Sequence, residues 1–534
     1  MMWSHAGYIA TIVLAAVTQS TTAITPNGFP VLYDPVKGLH KDINVNNSNI
    51  QEHTLSVPVD HFHNETQYEP HSDDFFSLRY FLETSHYKPG GPVIVIAGGE
   101  ATAEYRRPTL GVGIGPLLAK ATGGIVLVLE HRYYGKSFPV PNLSRENYRF
   151  LTTEQAVADT AYFAQHVQFP GLEDQDLTSA KTPWIIYGGS YAGAFAAITR
   201  KLYPDVYWGA ISSSGVTRAV YDYWEYTEAT RLFAPGDCGS VMSNMTYVVD
   251  TAIFSNDSTK VRTVKELFGY NSSVSDASFG LRIAHPFSAL QGESWVKGES
   301  DNTLQDYCNT ITSPELSYPD LESSRSTAEQ LVQDAGFDTR IATTLLNYIG
   351  LQQKNSDNGS KREQWLHKAQ LEQRSAQLSD GYSWYYQTCS QWGFFLTGSG
   401  VPKNIRGILS RAVTIEGSAN GCKQTFGISD PPNVESINRL GGVNFSYPRL
   451  AIIDGKQDPW RAATPHRIGA NGDRKSTIEQ PFILIDPATH HWDESDIPAD
   501  EYKPGYPPKQ IVDVHHQEVA FVTAWIEEFG KSKK

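Results

Sequence analysis

An α/β fold, a mostly parallel sheet covered by helices, is predicted by three features of this chain. Short apolar strand-like runs alternate with helical patterns, one run breaks into Gly188-Gly189-Ser190, and two later runs end in loops bearing Asp and His. The candidate buried strands are residues 93–96, 125–129, 184–187, 210–212, 450–453 and 482–485. All are short, and most are rich in Ile and Val, the composition of strands buried on both faces. Between the second and third, Thr152-x-x-Gln155 has the capping-box pattern, and Val157, Ala161, Ala164 and Val167 follow at helical spacing.

The alternation stops after Gly215 and resumes near Leu450. This divides the chain into a core part at 24–215, an inserted and largely helical cap at 216–375, and a second core part at 376–534. Val519, Val522, Ile526 and Phe529 mark one face of a last helix that closes the sheet.

With 534 residues the chain can bury a large core with an insertion, and 19% charged with 12% aromatic residues excludes a disordered protein. A net charge of −14 argues against nucleic acid as a partner. Residues 1–23 read as a secretory signal: an apolar stretch at 8–17, too short to span a bilayer, precedes Thr21-Thr22-Ala23 as a cleavage site. A secreted product, or one delivered to a vacuolar or lysosomal lumen, is expected, with no membrane span.

The sequons beginning at Asn46, Asn64, Asn142, Asn244, Asn256, Asn271, Asn358 and Asn444 agree with secretion. So do Cys238, Cys308, Cys389 and Cys422, which lack Cys-x-x-Cys spacing and suit disulfides. Three pairings exist; Cys238 with Cys308 and Cys389 with Cys422 is the one favoured here.

Trp184-Ile185-Ile186-Tyr187-Gly188-Gly189-Ser190-Tyr191-Ala192-Gly193 reads as a nucleophile elbow, a strand, a sharp turn and a close-packed helix that together expose Ser190. Ala192 stands where the common elbow has Gly. Strand 450–453 leads into Asp454-Gly455-Lys456-Gln457-Asp458-Pro459-Trp460, where two aspartates compete; Asp458 is better placed, since Gly455 allows a turn and Pro459 fixes the chain beyond it. Strand 482–485 leads into a loop containing His490-His491. Ser190, Asp458, His490 is the chain order of an α/β-hydrolase triad.

The oxyanion donors expected are the N–H of Tyr191 and one from the loop Ala97-Gly98-Gly99-Glu100, with Gly99 the candidate. Glu100 is a candidate to meet a positively charged substrate N-terminus. A metal is not expected: His-Glu-x-x-His is absent, and His490-His491, His515-His516, His53, His61 and His63 read as active-site, surface or turn histidines. No cofactor is implied.

These residues resemble the Pro-X carboxypeptidase and dipeptidyl peptidase II family of serine peptidases, including fungal secreted relatives. The marks are Asp60-His61-Phe62, Arg79-Tyr80-Phe81, Gly98-Gly99-Glu100, Glu130-His131-Arg132-Tyr133-Tyr134-Gly135, the Ser190 elbow, Gln387-Thr388-Cys389, Asp458-Pro459-Trp460 and His490-His491. The resemblance implies an α/β-hydrolase core with a helical cap, and cleavage of proline-containing peptides after proline. It assigns Ser190 as nucleophile, Asp458 as orienting acid and His490 as base. Trp460 and the stretch around Trp392 would line a proline-sized pocket, and Glu130 to Gly135 would form a structural corner. Dimerisation follows from the same analogy.

Two departures stand out: Asp454 replaces an Asn usual before the acid turn, and Trp492 follows the histidines where an aliphatic residue is common. The alternatives are a general serine carboxypeptidase or esterase on the same fold, and a non-catalytic binding protein built on it. Exopeptidase or endopeptidase mode stays open at this level.

Overall fold

The six apolar runs pair with one another, because segments without polar faces can satisfy their backbone only where both faces are covered. The computed structural model describes residues 50–284, 286–300, 303–354, 380–468 and 474–532. Its main sheet holds β1 (Gln51–Pro58), β2 (Phe75–Glu83), β3 (Val93–Ala97), β4 (Ile125–Leu129), β5 (Trp184–Gly189), β6 (Gly209–Ser213), β9 (Leu450–Gly455) and β10 (Phe482–Ile485), in the order β1-β2-β4-β3-β5-β6-β9-β10. From β4 to β10 every pairing is parallel, with Ile94 opposite Val126 and Ile185, and Ile211 opposite Ala451.

The antiparallel strands β1 and β2 escaped the sequence reading. β1 is an edge strand, exposed along much of its length, so it carries no continuous apolar run to betray it.

Alternating residues of the strands feed two cores. Val95, Leu127 and Ile186 face α2 (Thr153–His166) and α3 (Tyr191–Leu202). Ile94, Val126, Ile185, Ile211 and Ile453 face α1 (Ile114–Thr122) and the C-terminal helix Lys509–Ser532. Along that last helix Val522 and Phe529 are buried, Val519 and Ile526 flank them, and Phe521, Trp525, His515 and Glu518 complete the inward face. His515 is therefore buried, correcting its reading as a surface residue, whereas His516 is exposed.

Thr152 caps α2 by accepting the Gln155 N–H at 3.2 Å. Only half of the expected capping box forms, since the Gln155 amide turns instead to Asp60 Oδ1 at 2.7 Å and accepts the His61 N–H at 2.9 Å.

Between β6 and β9 the chain forms the helices Glu225–Phe233, Cys238–Ile253, Ser258–Leu267, Asp276–Arg282, Thr303–Ile311 and Arg325–Asp334. It also forms a separate parallel pair of β7 (Val220–Asp222) and β8 (Gly393–Phe395). Cys238–Cys308 joins the second and fifth of those helices, and Cys389–Cys422 joins the turn Thr388–Trp392 to helix Ile415–Phe426. The helix Asp380–Gln387 reaches back to the sheet: Asp380 accepts the N–H of Thr102 and of Gly135, and Gln387 donates to the Tyr191 hydroxyl.

No described helix is long and apolar enough to cross a membrane. Residues 1–23, Asn46 and Asn358 lie outside the described residues. Asn64, Asn256, Asn271 and Asn444 are exposed, and Asn142 is half-buried. Asn244 is half-buried inside a helix, where its side chain accepts from Arg406.

Candidate active site

Ser190 sits between β5 and α3 with φ 63° and ψ −128°, a backbone conformation that an L-residue adopts only where its surroundings enforce it. Close packing supplies the enforcement. A methyl group on Gly188 would lie 1.9 Å from the Ala192 carbonyl oxygen, so strand and helix meet at a distance only glycine permits. The Ser190 N–H donates to Ser213 O at 2.9 Å, which fixes the turn against the end of β6.

The histidine loop is anchored to that same strand end. The His491 N–H donates to Ser214 Oγ at 2.9 Å, and Ser213 Oγ donates to an Asp493 carboxylate oxygen at 2.6 Å. Next in the chain before His491, His490 is buried, and its Nδ1 lies 2.9 Å from Asp458 Oδ2. Its Nε2 is buried with no hydrogen-bond partner among the described residues. Asp458 is itself held by the Trp460 N–H at 2.8 Å.

The competition between the two aspartates resolves as two separate Asp–His pairs. Asp454 Oδ2 lies 2.6 Å from His466 Nδ1, with the His466 ring stacked on Phe482, and burial raises the Asp454 carboxyl above its ordinary range. Asp454 therefore serves a structural pair on β9, and Asp458 faces the His490 loop.

Gly99 is close to the elbow: a methyl group placed on it would lie 3.3 Å from Ala192 Cβ. Among the described residues, neither the Gly99 nor the Tyr191 N–H is taken by a backbone acceptor. Glu100 is buried, and that burial raises its pKa against the opposing pull of Arg106 and His490.

Trp460 packs face to face with Tyr223 at 5.3 Å, edge-on to Tyr226 at 5.2 Å and to Phe394 at 5.1 Å, with the His490 ring 6.5 Å away. Its indole N–H donates to Gln291 Oε1 at 2.9 Å, as does the Tyr226 hydroxyl at 2.7 Å. Trp392 is fully buried, donates to Thr153 Oγ1 and packs on Tyr191 and Phe394.

The Glu130–Gly135 segment is a corner, as its sequence suggested. The Glu130 carboxylate accepts from Arg79, the Ala103 N–H, the Lys136 N–H and Ser137 Oγ. His131 lies 3.0 Å from the Tyr191 hydroxyl, and burial pushes its pKa down to about 4. The early histidines also find places: His53 lies in β1 against Tyr80, not in a turn, and His61 Nε2 meets Asp159 at 2.8 Å. Asp60, His63 and His71 offer ligand atoms within 4.8 Å of one another and are the described residues best arranged to hold a metal ion. Asp60 already accepts from Phe62 N–H and Gln155 and pairs with His71.

Sequence reasoning missed Arg106, Asp493, Glu494 and Glu518. No motif announces them, because each acquires its neighbours only through the tertiary fold. Arg106 donates to Gly98 O at 3.3 Å and to Glu494 Oε1, and Glu494 Oε2 lies 3.0 Å from His491 Nδ1. Burial pushes the His491 pKa well below the usual histidine range.

The family model described as Serine carboxypeptidase S28 matches residues 58–502. The chain is 42% identical over 493 residues to a probable extracellular serine carboxypeptidase of Arthroderma benhamiae, covering 90% of this chain and 68% of that one. It is 27% identical over 496 residues to the serine protease vicPb of Bipolaris victoriae, covering 88% of each, and 25% identical over 423 residues to the human thymus-specific serine protease, covering 76% of each. Among solved structures, a thermostable esterase from Pseudomonas putida matches 36% of this chain and 52% of its own at 13% identity and a TM-score of 0.24, a likeness that carries no further weight. With its mainly parallel, helix-covered sheet, this α/β-hydrolase-fold chain belongs to the serine carboxypeptidase S28 family of serine peptidases.

Proposed function

We propose that the chain is a secreted peptidase that hydrolyses the bond on the carboxyl side of proline, with Ser190 as nucleophile, His490 as base and Asp458 as orienting acid. The observation that carries this reading is the His490–Asp458 contact at 2.9 Å, which leaves His490 Nε2 bare in a loop tied to the strand end that holds Ser190. A histidine bonded through Nδ1 to a carboxylate is fixed as the Nδ1–H tautomer, so Nε2 is the lone pair that accepts a proton.

In the first half-reaction His490 Nε2 takes the hydroxyl proton while Ser190 Oγ bonds to the prolyl carbonyl carbon. The electron pair of the carbonyl moves to its oxygen, which the N–H groups of Tyr191 and Gly99 receive. The C–N bond then breaks, the amine leaves with the proton from His490, and an acyl-enzyme remains. Water repeats the sequence and frees the prolyl product.

The aromatic group of Trp460, Tyr223, Tyr226 and Phe394 beside His490 supports a prolyl pocket, since a compact apolar ring gains contact area against such faces without needing a polar partner. The similarity to the probable extracellular serine carboxypeptidase of Arthroderma benhamiae supports secretion and removal of a C-terminal residue. Glu100, buried beside Arg106 and His490, is the candidate to meet a substrate terminus.

Mass spectrometry of products from Pro-containing peptides with free and blocked termini tests bond and mode together. Products cut after proline are expected, and cleavage of esters alone would refute a peptidase. Ser190→Ala should lower turnover by on the order of 10⁶. Near-normal turnover of that variant would remove Ser190 from the reaction.

A further inference from the structure

We infer that Arg106 is a positioning residue for the oxyanion hole: through Gly98 and Glu494 it locks one oxyanion donor to the loop that carries the base. The inference rests on the triad proposed above.

The argument starts from one peptide plane. In a trans peptide the C=O and the following N–H point in opposite directions, so the direction of Gly98 O dictates that of the Gly99 N–H. Two glycines in succession resist rotation of that plane poorly, and Gly99 has φ 74°. Gly98 is held on its amide side by an N–H bond to Leu129 O at 2.8 Å. On the carbonyl side the restraint comes from Arg106 Nε, which donates to Gly98 O at 3.3 Å. With that carbonyl turned toward Arg106, the Gly99 N–H is directed away from it, and Gly99 lies against Ala192 in the first turn of α3, one residue beyond Tyr191.

The same guanidinium binds Glu494 Oε1 through Nη1. Glu494 ends the short turn Trp492–Glu494 that directly follows His490 and His491, and its other oxygen is 3.0 Å from His491 Nδ1. Arg106 and Glu494 are 2% and 1% exposed, so the pair is out of water and its geometry is not averaged by solvent. Oxyanion donor and base loop thus share one rigid cross-link. Such a link acts on the transition state, because the donor must meet an oxygen whose charge exists only after Ser190 has attacked.

Two variants test this with a prolyl peptide substrate. Arg106→Lys keeps a cation facing Glu494 but replaces the Nε and Nη1 donors, held in a fixed planar fork, with one ammonium. The double variant Arg106→Met/Glu494→Gln removes both charges of the link together, and serves if the first does not fold by circular dichroism. Expected is a fall in kcat of about 10²–10³, the scale of losing one oxyanion donor, with KM changed less than about threefold. A peptide aldehyde, which forms a tetrahedral adduct, should lose affinity in step with kcat/KM, while a product peptide should not.

A folded linkless variant with unimpaired kcat, or equal weakening of aldehyde and product peptide, overturns the inference. A wild-type Ser190 inert to a fluorophosphonate would instead overturn the triad beneath it, and the inference with it.

Discussion

Glu518→Gln should make stability measurably less sensitive to rising pH. Glu518 lies on the inward face of the C-terminal helix, fully buried, and neither of its carboxylate oxygens has a hydrogen-bond partner among the described residues. Burial raises its pKa well above the ordinary 4.5, and the neighbouring Asp493 adds to the rise. Asp493, whose carboxylate is bonded to the hydroxyls of Tyr187 and Ser213, is raised from 3.8 for the same first reason.

A group whose folded pKa is raised holds a proton in the folded chain that the unfolded chain has released. Its stabilisation is complete below the unfolded pKa and is lost as pH climbs toward the folded one. The slope is 2.303RT per proton, about 1.4 kcal/mol per pH unit for each group in that window. His131 and His491 act in the opposite sense: their folded pKa values are depressed from 6.5, so they cost stability as pH falls below that value. The two effects oppose each other in mild acid.

The assay is urea unfolding of wild type and Glu518→Gln at constant ionic strength from pH 5 to pH 8. The buried amide costs a pH-independent amount, and the titrations of groups remote from Glu518 cancel in the difference, whereas that of the neighbouring Asp493 also changes. That difference should move in favour of the variant wherever the pH lies between the unfolded and folded pKa of Glu518, with a limiting slope of about 1.4 kcal/mol per pH unit. A difference that stays constant across the series would mean that Glu518 is ionised in the fold, and the reasoning would fail.

Asp458→Asn should cost on the order of 10⁴ in kcat through the wrong His490 tautomer, whereas Asp454→Asn, which leaves the His490–Asp458 contact in place, should leave turnover near wild type; steady-state kinetics on one peptide decides both. Gly188→Ala forces a methyl group to 1.9 Å from the Ala192 carbonyl and should destabilise by about 3 kcal/mol or more, read from the shift in urea midpoint, with full stability refuting the close packing of the elbow. Removing the Cys389–Cys422 bridge, which closes a separation of 33 residues, should cost about 3.5–4 kcal/mol on the chain-entropy account, measured by unfolding Cys389→Ser/Cys422→Ser.

The order of the candidate site residues along the chain, and the strands that carry them, were legible without coordinates. The Gly188-Gly189-Ser190 turn, the Asp458-Pro459-Trp460 turn and His490 each follow an Ile/Val-rich run, and those runs are β5, β9 and β10. Such signals are local: an apolar run needs cover, a tight turn needs glycine, and both requirements are met within a few residues. The preferred disulfide pairing also appears in the structure, although spacing left three pairings open.

What the tertiary structure alone decided are relations between distant segments. β1 looked unremarkable because an edge strand buries little, and Gln155 left its capping box because Asp60 and His61, far away in sequence, offered its amide better partners. Asp454 and Asp458 are chemically alike in sequence and differ only in which imidazole meets them. Arg106, Glu494, Asp493 and Glu518 gain their significance from being enclosed together, since burial converts an ordinary charge into a rigid tether or a retained proton, and burial is a property of the packed chain rather than of any stretch of it.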